Sequence, residues 1–363
     1  MRLPGFDHYG PHDLEEVFSL LAGSGDARVI AGGTDLIPRM KFGLETPSTI
    51  VSLSKVRGLK GITQSKGRVM IGSMTTLAEM IASPVISRDL PALREAAIAV
   101  AAPPVWNVGT LGGNILQDTR CLYYNQSRTW RLEKKPCFKA SGDVCHAVPK
   151  GKKCFSVYCG DIAPALIAFD AVLLFEGLSG PKELSCSDVF SGNGLSPFNL
   201  ERDVVLTGIR VPVGGSRSAY AKLRARSALD YPLVSAAASL VTGPGSTITA
   251  GKLGLSAVGQ APQAIDLGFL AGGTIDTLDL NALPDILPKK FPIVDNLALP
   301  GSYRRKMVPV IARKAIVKAA ARGKAKYSTT AGVRMYSVHM LPCTPRICDW
   351  FGDNRPEGMG SKS

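Results

Sequence analysis

The chain has 363 residues, 45% of them hydrophobic and 20% charged, which is an ordinary composition for a folded protein of two or three domains. It contains no run of about 18 uncharged apolar residues, and its start, MRLPGFDHYG, lacks the apolar core of a secretory signal, so the sequence predicts a cytoplasmic protein without a membrane span. The net charge of +14 is concentrated at 120–153 (+7) and 296–348 (+11), and without a recognisable binding motif these segments do not predict a nucleic-acid partner.

The first 212 residues predict two subdomains that mix strands and helices. The opening subdomain is of the βαβ type, and the elements after it lead into the second. In chain order the pattern predicts a helix at 12–23, a strand at 27–30, a helix after a loop at 31–36, strands at 49–53 and 68–74, helices at 76–83 and 92–101, a glycine-rich loop at 109–114, and strands near 163–175 and 203–212.

A Gly- and Ser-rich break at 212–219 separates these elements from a C-terminal part. Beyond it, SAAASLVT and KLGLSAVG have the composition of strands, and 302–321 predicts a closing helix in which Pro309 marks a kink or a boundary. Residues 328–363 are predicted to be a disordered tail. The predicted fold class is α+β, with one domain at 1–216, a smaller α+β domain at 217–327 and the tail.

Two glycine-rich loops predict a ligand held close to the backbone. AGGTDL occupies 31–36 after a buried strand, and GTLGGN occupies 109–114. Glycine accepts positive φ and lets backbone N–H groups approach a phosphate. Each loop alone is also explained by a tight turn, and AGGTDL is not the GxGxxG of a Rossmann site. Together the two loops suit an extended dinucleotide gripped from two subdomains.

Four of the eight cysteines lie in a basic insert at 120–158, between the second glycine loop and an apolar run. Long structureless loops are uncommon inside packed domains, and a metal centre would give this insert a reason to fold. Structural zinc sites use closely spaced cysteine pairs, whereas wide, uneven spacing suits a [4Fe–4S] cubane better; zinc and an insert without metal stay open. The candidate ligands are Cys121, Cys137, Cys145 and Cys154. Cys159 and Cys186 are interpreted as packing residues.

Five segments together resemble the FAD-binding subunits of molybdenum hydroxylases, the family that includes the flavin subunits of xanthine dehydrogenase and carbon monoxide dehydrogenase. They are VIAGGTDL, WNVGTLGGNI, GDIAPALIAFDA, YAKLRARSALDYPLVSAAA and LPGSYRRKMVPVIARKAI, within residues 1–325. The resemblance implies a two-subdomain FAD-binding domain of the PCMH/VAO-like type and a smaller α+β domain after it. The cysteine insert, which most members lack, is similar to that of the β subunits of 4-hydroxybenzoyl-CoA reductases, where four cysteines hold an additional [4Fe–4S] cluster.

The resemblance also implies which residues contact FAD. Both glycine loops would bind its pyrophosphate and ribityl groups, Asp161 would contact the cofactor, and Lys222 would lie near the isoalloxazine. From the residues alone, Asp161 is equally explained as a turn cap and Lys222 as a surface residue. Because the loops lie outside the insert, FAD binding is expected to survive loss of the insert's metal. The implied loop residues are Val29, Ile30, Ala31, Gly32, Gly33, Thr34, Asp35, Leu36, Thr110, Gly112, Gly113 and Asn114.

The implied function is an oxidoreductase subunit that carries FAD and one [4Fe–4S] cluster and is active only in a complex. Its partners would be a large subunit with a molybdenum cofactor and a small [2Fe–2S] subunit, assembled as a dimer of heterotrimers. The chain has no Cys-x4-Cys-x2-Cys run for a [2Fe–2S] pair of its own. The similarity of the insert to that of 4-hydroxybenzoyl-CoA reductases implies the reductive dehydroxylation of an aromatic acyl-CoA, a reaction of aromatic degradation. The alternatives are a subunit of another hydroxylase that acts on aromatic or heterocyclic compounds, and a zinc-stabilised interaction module.

Overall fold

The computed structural model describes residues 2–288 and 291–322, and the predicted tail at 328–363 lies outside these residues. Three sheets organise this part of the chain, with three, five and four strands. None of the helices within the described ranges combines the length and the hydropathy that crossing a membrane requires.

The opening subdomain is a small parallel sheet with one helix packed on it. Its elements are β1 Asp7–Tyr9, α1 Leu14–Gly23, β2 Arg28–Ile30, α2 Leu36–Lys41 and β3 Thr49–Ser52. β3 lies between β1 and β2, and both pairs are parallel. Val17 and Phe18 of α1 pack with Val51 of β3 in the core. These bounds confirm the helix and the two strands predicted at 12–23, 27–30 and 49–53.

The second subdomain is a five-stranded antiparallel sheet with helices packed against it. From one edge of this sheet to the other lie the fourth, fifth, eighth, sixth and seventh strands of the chain. Side chains such as Leu93 and Leu166 from the helices join Ile71 and Ile209 from the strands in one core. The elements are β4 Ile62–Ser65, β5 Arg68–Gly72, α3 Leu77–Ala82, α4 Pro84–Asp89, α5 Pro91–Ala99, α6 Pro103–Trp106, α7 Leu111–Ile115, α8 Arg128–Leu132 within the cysteine insert, α9 Ile162–Ala168, β6 Val172–Gly177, β7 Gly180–Ser185 and β8 Val204–Pro212.

The strand predicted near 163–175 is wrong in its first half. Residues 162–168 form α9, and the strand β6 begins only at Val172. Every residue of α9 is buried, so the run shows no polar face, and periodicity cannot separate a buried helix from a buried strand. Its three alanines favour a helix, and Pro164 lies in the first turn, where proline is tolerated. Asp170, with φ +54°, lies in the turn between α9 and β6.

The third sheet is an antiparallel meander covered by the closing helix. Its elements are β9 Arg217–Leu223, β10 Val234–Thr242, β11 Ile248–Ser256, β12 Gln263–Asp266, α10 Leu283–Ile286 and α11 Gly301–Ala321. Alternate residues of β9 face opposite sides: Ala219 and Ala221 pack with Ala312 and Ala315 of α11, whereas Tyr220 joins the core of the second subdomain. The predicted closing helix is confirmed, and it continues through Pro309.

The predicted domain boundary between 216 and 217 stays a prediction. The third sheet begins at Arg217, but residues Met1–Lys324 cluster as one compact unit. This unit contains all the described residues, so the sheets and the site between them are parts of a single packed body.

Candidate cofactor site

The two glycine loops lie in backbone contact with each other. A Cβ atom on Gly32 would come within 1.8 Å of the Val108 carbonyl oxygen, so no side chain fits between the loops at this point. Gly33 has φ +72°, a conformation that favours glycine. The second loop leads into α7, where the Thr110 hydroxyl accepts a hydrogen bond from the Gly113 N–H at 3.1 Å. The glycines therefore bring two subdomains together at one site.

A cleft of two adjoining cavities runs along both loops. The first cavity, of about 290 Å³, is lined by all the predicted residues at 29–36 and by Thr110, Gly112 and Gly113. The second, of about 250 Å³, is lined by Asn114 and Asp161. The cavities share the lining residues Thr34, Asp35, Thr110, Gly113 and Gln117. The predicted loop residues and Asp161 therefore meet along one elongated cleft.

The lining of the cleft combines apolar side chains with a few polar groups, as cofactor sites commonly do. In the first cavity the buried Ser73 hydroxyl finds no hydrogen-bond partner among the described residues, and a polar ligand atom would satisfy it. The second cavity is lined by apolar side chains, which include Val100 and Val105, and by the charged groups of Asp35, Arg120 and Asp161. A mixed lining of this kind suits FAD.

Asp161 is held in the second cavity by two side chains of β9. The Tyr220 hydroxyl donates to its carboxylate, and the Lys222 ammonium forms an ion pair with it at 3.0 Å. Lys222 also donates to the carbonyl oxygens of Ala99 and Asp230, each at 2.9 Å. Burial raises the pKa of Asp161 above its ordinary value, although Lys222 and Tyr220 oppose that shift. Lys222 thus fixes the position of the Asp161 carboxylate. A contact between Lys222 and an isoalloxazine stays a prediction.

A network of ion pairs lies at the first-loop end of the cleft. Asp35 pairs with Arg120 and, at 3.9 Å, with Arg39. Asp118 pairs with Arg39 at 2.8 Å and with Lys139 at 2.6 Å. Burial acts to raise the pKa of Asp118, but the two cations outweigh it and hold that pKa below its ordinary value. The Asp118 carboxylate is therefore ionised at neutral pH.

The four candidate metal ligands line one small cavity inside the insert, of about 20 Å³. Burial, with smaller contributions from the Cys154 and Cys137 thiols, raises the pKa of Cys121 to about 11. In residues 2–288 and 291–322, no three or more His, Cys, Asp or Glu side chains have the arrangement to hold a metal ion as they stand. The cavity as it stands is large enough for about one water molecule. The four cysteines thus lie around one space, and metal or cluster binding by them stays a prediction.

The insert is closed at its base and anchored to the opening subdomain. Backbone hydrogen bonds in both directions between Arg120 and Val157, at 2.7 and 2.8 Å, join its two ends. Arg131 of α8 donates to the carbonyl oxygens of Phe42 and Gly43, at 3.2 and 2.8 Å, just after α2 ends. The insert is thus a folded part of the domain surface beside the cleft.

Sequence reasoning named Lys222 but missed Tyr220, Asp118, Arg120 and Lys139. Tyr220 lies two positions before Lys222 in a strand and so shares its face, and this alternation could have indicated a common partner. Asp118 and Arg120 closely follow the second glycine loop, which was a usable signal. Lys139 is one of several basic residues in the insert, and nothing in the sequence distinguishes it from the others.

Residues 4–214 match the family described as the FAD binding domain in molybdopterin dehydrogenase. The chain is 31% identical to the carbon monoxide dehydrogenase medium chain of Afipia carboxidovorans, over 89% of this chain and 99% of that protein. It is 26% identical to the nicotine 6-hydroxylase medium subunit of Paenarthrobacter nicotinovorans, over 89% of this chain and 100% of that protein.

Solved structures show the same fold. A crystal structure of Cu,Mo-CO dehydrogenase in its cyanide-inactivated form contains a chain that matches with a TM-score of 0.69 and 27% identity, over 89% of this chain and 100% of that one. Quinoline 2-oxidoreductase from Pseudomonas putida 86 matches with a TM-score of 0.66 and 25% identity, over 88% and 98% of the two chains. The mixed α/β architecture with an FAD-binding domain agrees with the predicted fold class.

Proposed function

This chain belongs to the family of FAD-binding domains in molybdopterin dehydrogenases, and from that premise we propose that it is the FAD-carrying, electron-transferring subunit of a molybdenum hydroxylase-type oxidoreductase. The single observation that carries the proposal is the elongated cleft, in which both glycine loops and Asp161 line adjoining cavities. A non-enzymatic zinc-stabilised module loses its support, because the family match covers residues 4–214.

Bound FAD would supply the electron-exchange chemistry, and the protein would supply its position and environment. Gly32 lets the two loops meet, and the backbone around Gly33 and Gly113, which lines the first cavity, would face the pyrophosphate. Asp161, held by Tyr220 and Lys222, presents a fixed polar group in the second cavity. The apolar walls there would exclude water from a planar ring. These residues bind and orient, and the proposal assigns none of them to bond breaking.

The proposed partners are a large subunit with a molybdenum cofactor and a small [2Fe–2S] subunit, in a dimer of heterotrimers. The carbon monoxide dehydrogenase and nicotine 6-hydroxylase relatives are named as a medium chain and a medium subunit, which supports a complex of several chains. The cysteine inventory agrees, because the chain has no Cys-x4-Cys-x2-Cys run.

We further propose that the four insert cysteines hold a [4Fe–4S] cluster. The support is their convergence on one cavity inside an insert that is folded and closed at its base. Lysines around the insert would offset the negative charge of such a cluster. By this feature the proposed activity is like that of 4-hydroxybenzoyl-CoA reductases, the reductive dehydroxylation of an aromatic acyl-CoA. The relatives found act, by their names, on carbon monoxide and nicotine, so another aromatic or heterocyclic substrate is the second candidate.

The test is the cofactor content of the anaerobically purified full chain. We expect one FAD, four irons and four acid-labile sulfides per chain. Cys137→Ser should lose iron and the broad Fe–S absorbance, because cluster binding and folding of the insert are coupled. Cys186→Ser is the matched control, since Cys186 is buried outside the insert and should change neither.

Each result bears on a different part of the proposal. Zinc in place of iron in the wild type, or four irons retained in Cys137→Ser, would refute the cluster. A wild-type chain that takes up no FAD would refute the flavin assignment. Turnover of 4-hydroxybenzoyl-CoA by the assembled complex, compared with other aromatic and heterocyclic compounds, would decide between the substrate candidates.

A further inference from the structure

Lys139 of the insert reaches out of the insert and ends in the ion-pair network beside the cleft. It lies in a short helical turn, Phe138–Ala140, that directly follows Cys137. Its ammonium group contacts the Asp118 carboxylate at 2.6 Å and the Thr119 hydroxyl at 2.5 Å. Its side chain is 6% exposed, so a charge from the insert is buried against the chain that follows the second glycine loop.

Asp118 connects Lys139 to the first glycine loop. The Asp118 backbone N–H donates to the Asp35 carboxylate at 3.2 Å, and Asp35 is part of that loop. The Asp118 carboxylate also pairs with Arg39 of α2, the helix that the loop leads into. Two contacts from one residue therefore hold both the end of the loop and the helix after it.

The other end of the network touches the thiol cavity. The Thr119 hydroxyl lies 2.7 Å from the Ser156 hydroxyl, which lies 3.1 Å from the Cys154 sulfur. Lys139 and Ser156 line the thiol cavity together with the four cysteines. A continuous, mostly buried polar network thus runs from a candidate metal ligand to the FAD-binding loop.

We propose that Lys139 is a positioning residue through which the folded insert holds the loop at 31–36 in its FAD-binding conformation, so that loading of the insert's metal centre strengthens FAD binding. This inference rests on the proposed function, and it reverses the expectation that FAD binding is independent of the insert. Removing Asp118 leaves the buried Lys139 ammonium uncompensated, whereas removing Lys139 leaves Asp118 with one cation in place of two. An insert that unfolds withdraws Lys139 and leaves Asp118 to Arg39 alone.

The test measures the FAD dissociation constant of the full chain, from which the flavin has been removed, by quenching of flavin fluorescence. Lys139→Met should raise this constant at least tenfold, while Lys139→Arg should restore much of the affinity. Lys135→Met is the matched control, because Lys135 pairs with Asp143 on the surface of the same insert; it should bind FAD like the wild type. Iron content and circular dichroism of Lys139→Met should stay at wild-type values.

A double-mutant cycle tests whether the insert acts through Lys139. Cys137→Ser should weaken FAD binding, and adding Lys139→Met to it should weaken binding little further, because both changes break one path. If Lys139→Met does not fold, Asp118→Asn tests the same path and should also weaken FAD binding. The coupling would be overturned if the double variant lost as much FAD affinity as the two single variants together. Wild-type FAD affinity in Lys139→Met, or in Asp118→Asn where that variant replaces it, would overturn it as well. A wild-type chain unable to bind FAD would instead refute the proposed function.

Discussion

Gly32 and Gly33 are neighbours in one loop, but two different physical constraints require them. Gly33 needs its positive φ, whereas Gly32 needs the absence of a Cβ atom because the Val108 carbonyl oxygen occupies that space. The second constraint joins the loops of two subdomains, so it concerns the shape of the cleft and not the local turn alone.

We predict that Gly32→Ala separates the two loops and lowers FAD binding. The added methyl group would lie far inside contact distance of a backbone carbonyl, which cannot move without shifting the second loop. Gly25→Ala is the control, because a Cβ atom there meets nothing within 4 Å. The flavin-to-protein absorbance ratio after gel filtration should fall in Gly32→Ala and stay unchanged in Gly25→Ala. Full flavin content in Gly32→Ala would contradict the contact between the loops.

The second prediction at this scale concerns the buried pair of Lys222 and Asp161, whose side chains are each 5% exposed. Lys222→Met should destabilise the fold by about 3–5 kcal/mol, because it leaves a buried carboxylate without its cation. Lys252→Met, which breaks the exposed pair with Asp170, should cost about 0–1 kcal/mol. Urea unfolding measures both.

The same variant should show a characteristic pH dependence. Without Lys222, burial raises the pKa of Asp161 further above its ordinary value, so the folded variant prefers the protonated carboxyl. A carboxyl group whose pKa is raised in the folded state contributes to the free energy of unfolding at low pH, and this contribution is lost as pH rises. The deficit relative to wild type should therefore be smallest near about pH 4 and grow towards neutral pH. A deficit that shrinks as pH rises would contradict this assignment.

At the scale of elements, α11 is held to the third sheet by a buried arginine as well as by apolar packing. Arg304 is fully buried and donates to the carbonyl oxygens of Leu233, Val294 and Ala257, at 3.2, 3.1 and 3.2 Å. These carbonyls belong to three separate segments around the start of the helix. One side chain therefore satisfies backbone groups that no helix or strand hydrogen bond would reach.

We predict that Arg304→Met destabilises the fold by roughly 2–4 kcal/mol, since it leaves the buried carbonyl groups of Leu233 and Ala257 without a donor. The Val294 carbonyl keeps the hydrogen bond from the Asn296 N–H. Arg313→Met is the control on the same helix, because Arg313 is exposed, and it should stay within about 0.5 kcal/mol of wild type. Urea midpoints followed by circular dichroism compare the two. Equal midpoints would mean that apolar packing alone holds α11.

At the scale of the whole molecule, the cleft depends on all three sheets. The first glycine loop follows β2 of the first sheet, the second glycine loop leads into α7 beside the second, and Tyr220 and Lys222 extend from β9 of the third to Asp161. No single subdomain contains the site. The proposed function also requires other chains, because the sequence lacks the Cys-x4-Cys-x2-Cys run of a [2Fe–2S] site.

We predict that the isolated chain binds FAD but does not turn over substrate. Co-expression with the large and small subunits should yield a complex with the mass of a dimer of heterotrimers, measured by analytical ultracentrifugation, and should restore activity. The isolated chain with its FAD is the control. Full turnover by the monomer would contradict the assignment as an electron-transferring subunit.

The sequence by itself determined the features that depend on neighbouring residues. The glycine loops could be assigned to a cofactor because their conformational freedom is a local property, and the helix at 12–23 could be placed because its apolar periodicity is local. The cysteines could be proposed as ligands from their number and spacing. The tertiary structure decided that the buried run at 162–168 is a helix, since a segment buried on all sides has no periodicity that distinguishes helix from strand. It also decided that Lys139 meets Asp118 and that Lys222 meets Asp161, because contacts between residues 21 and 61 positions apart depend on how the elements pack.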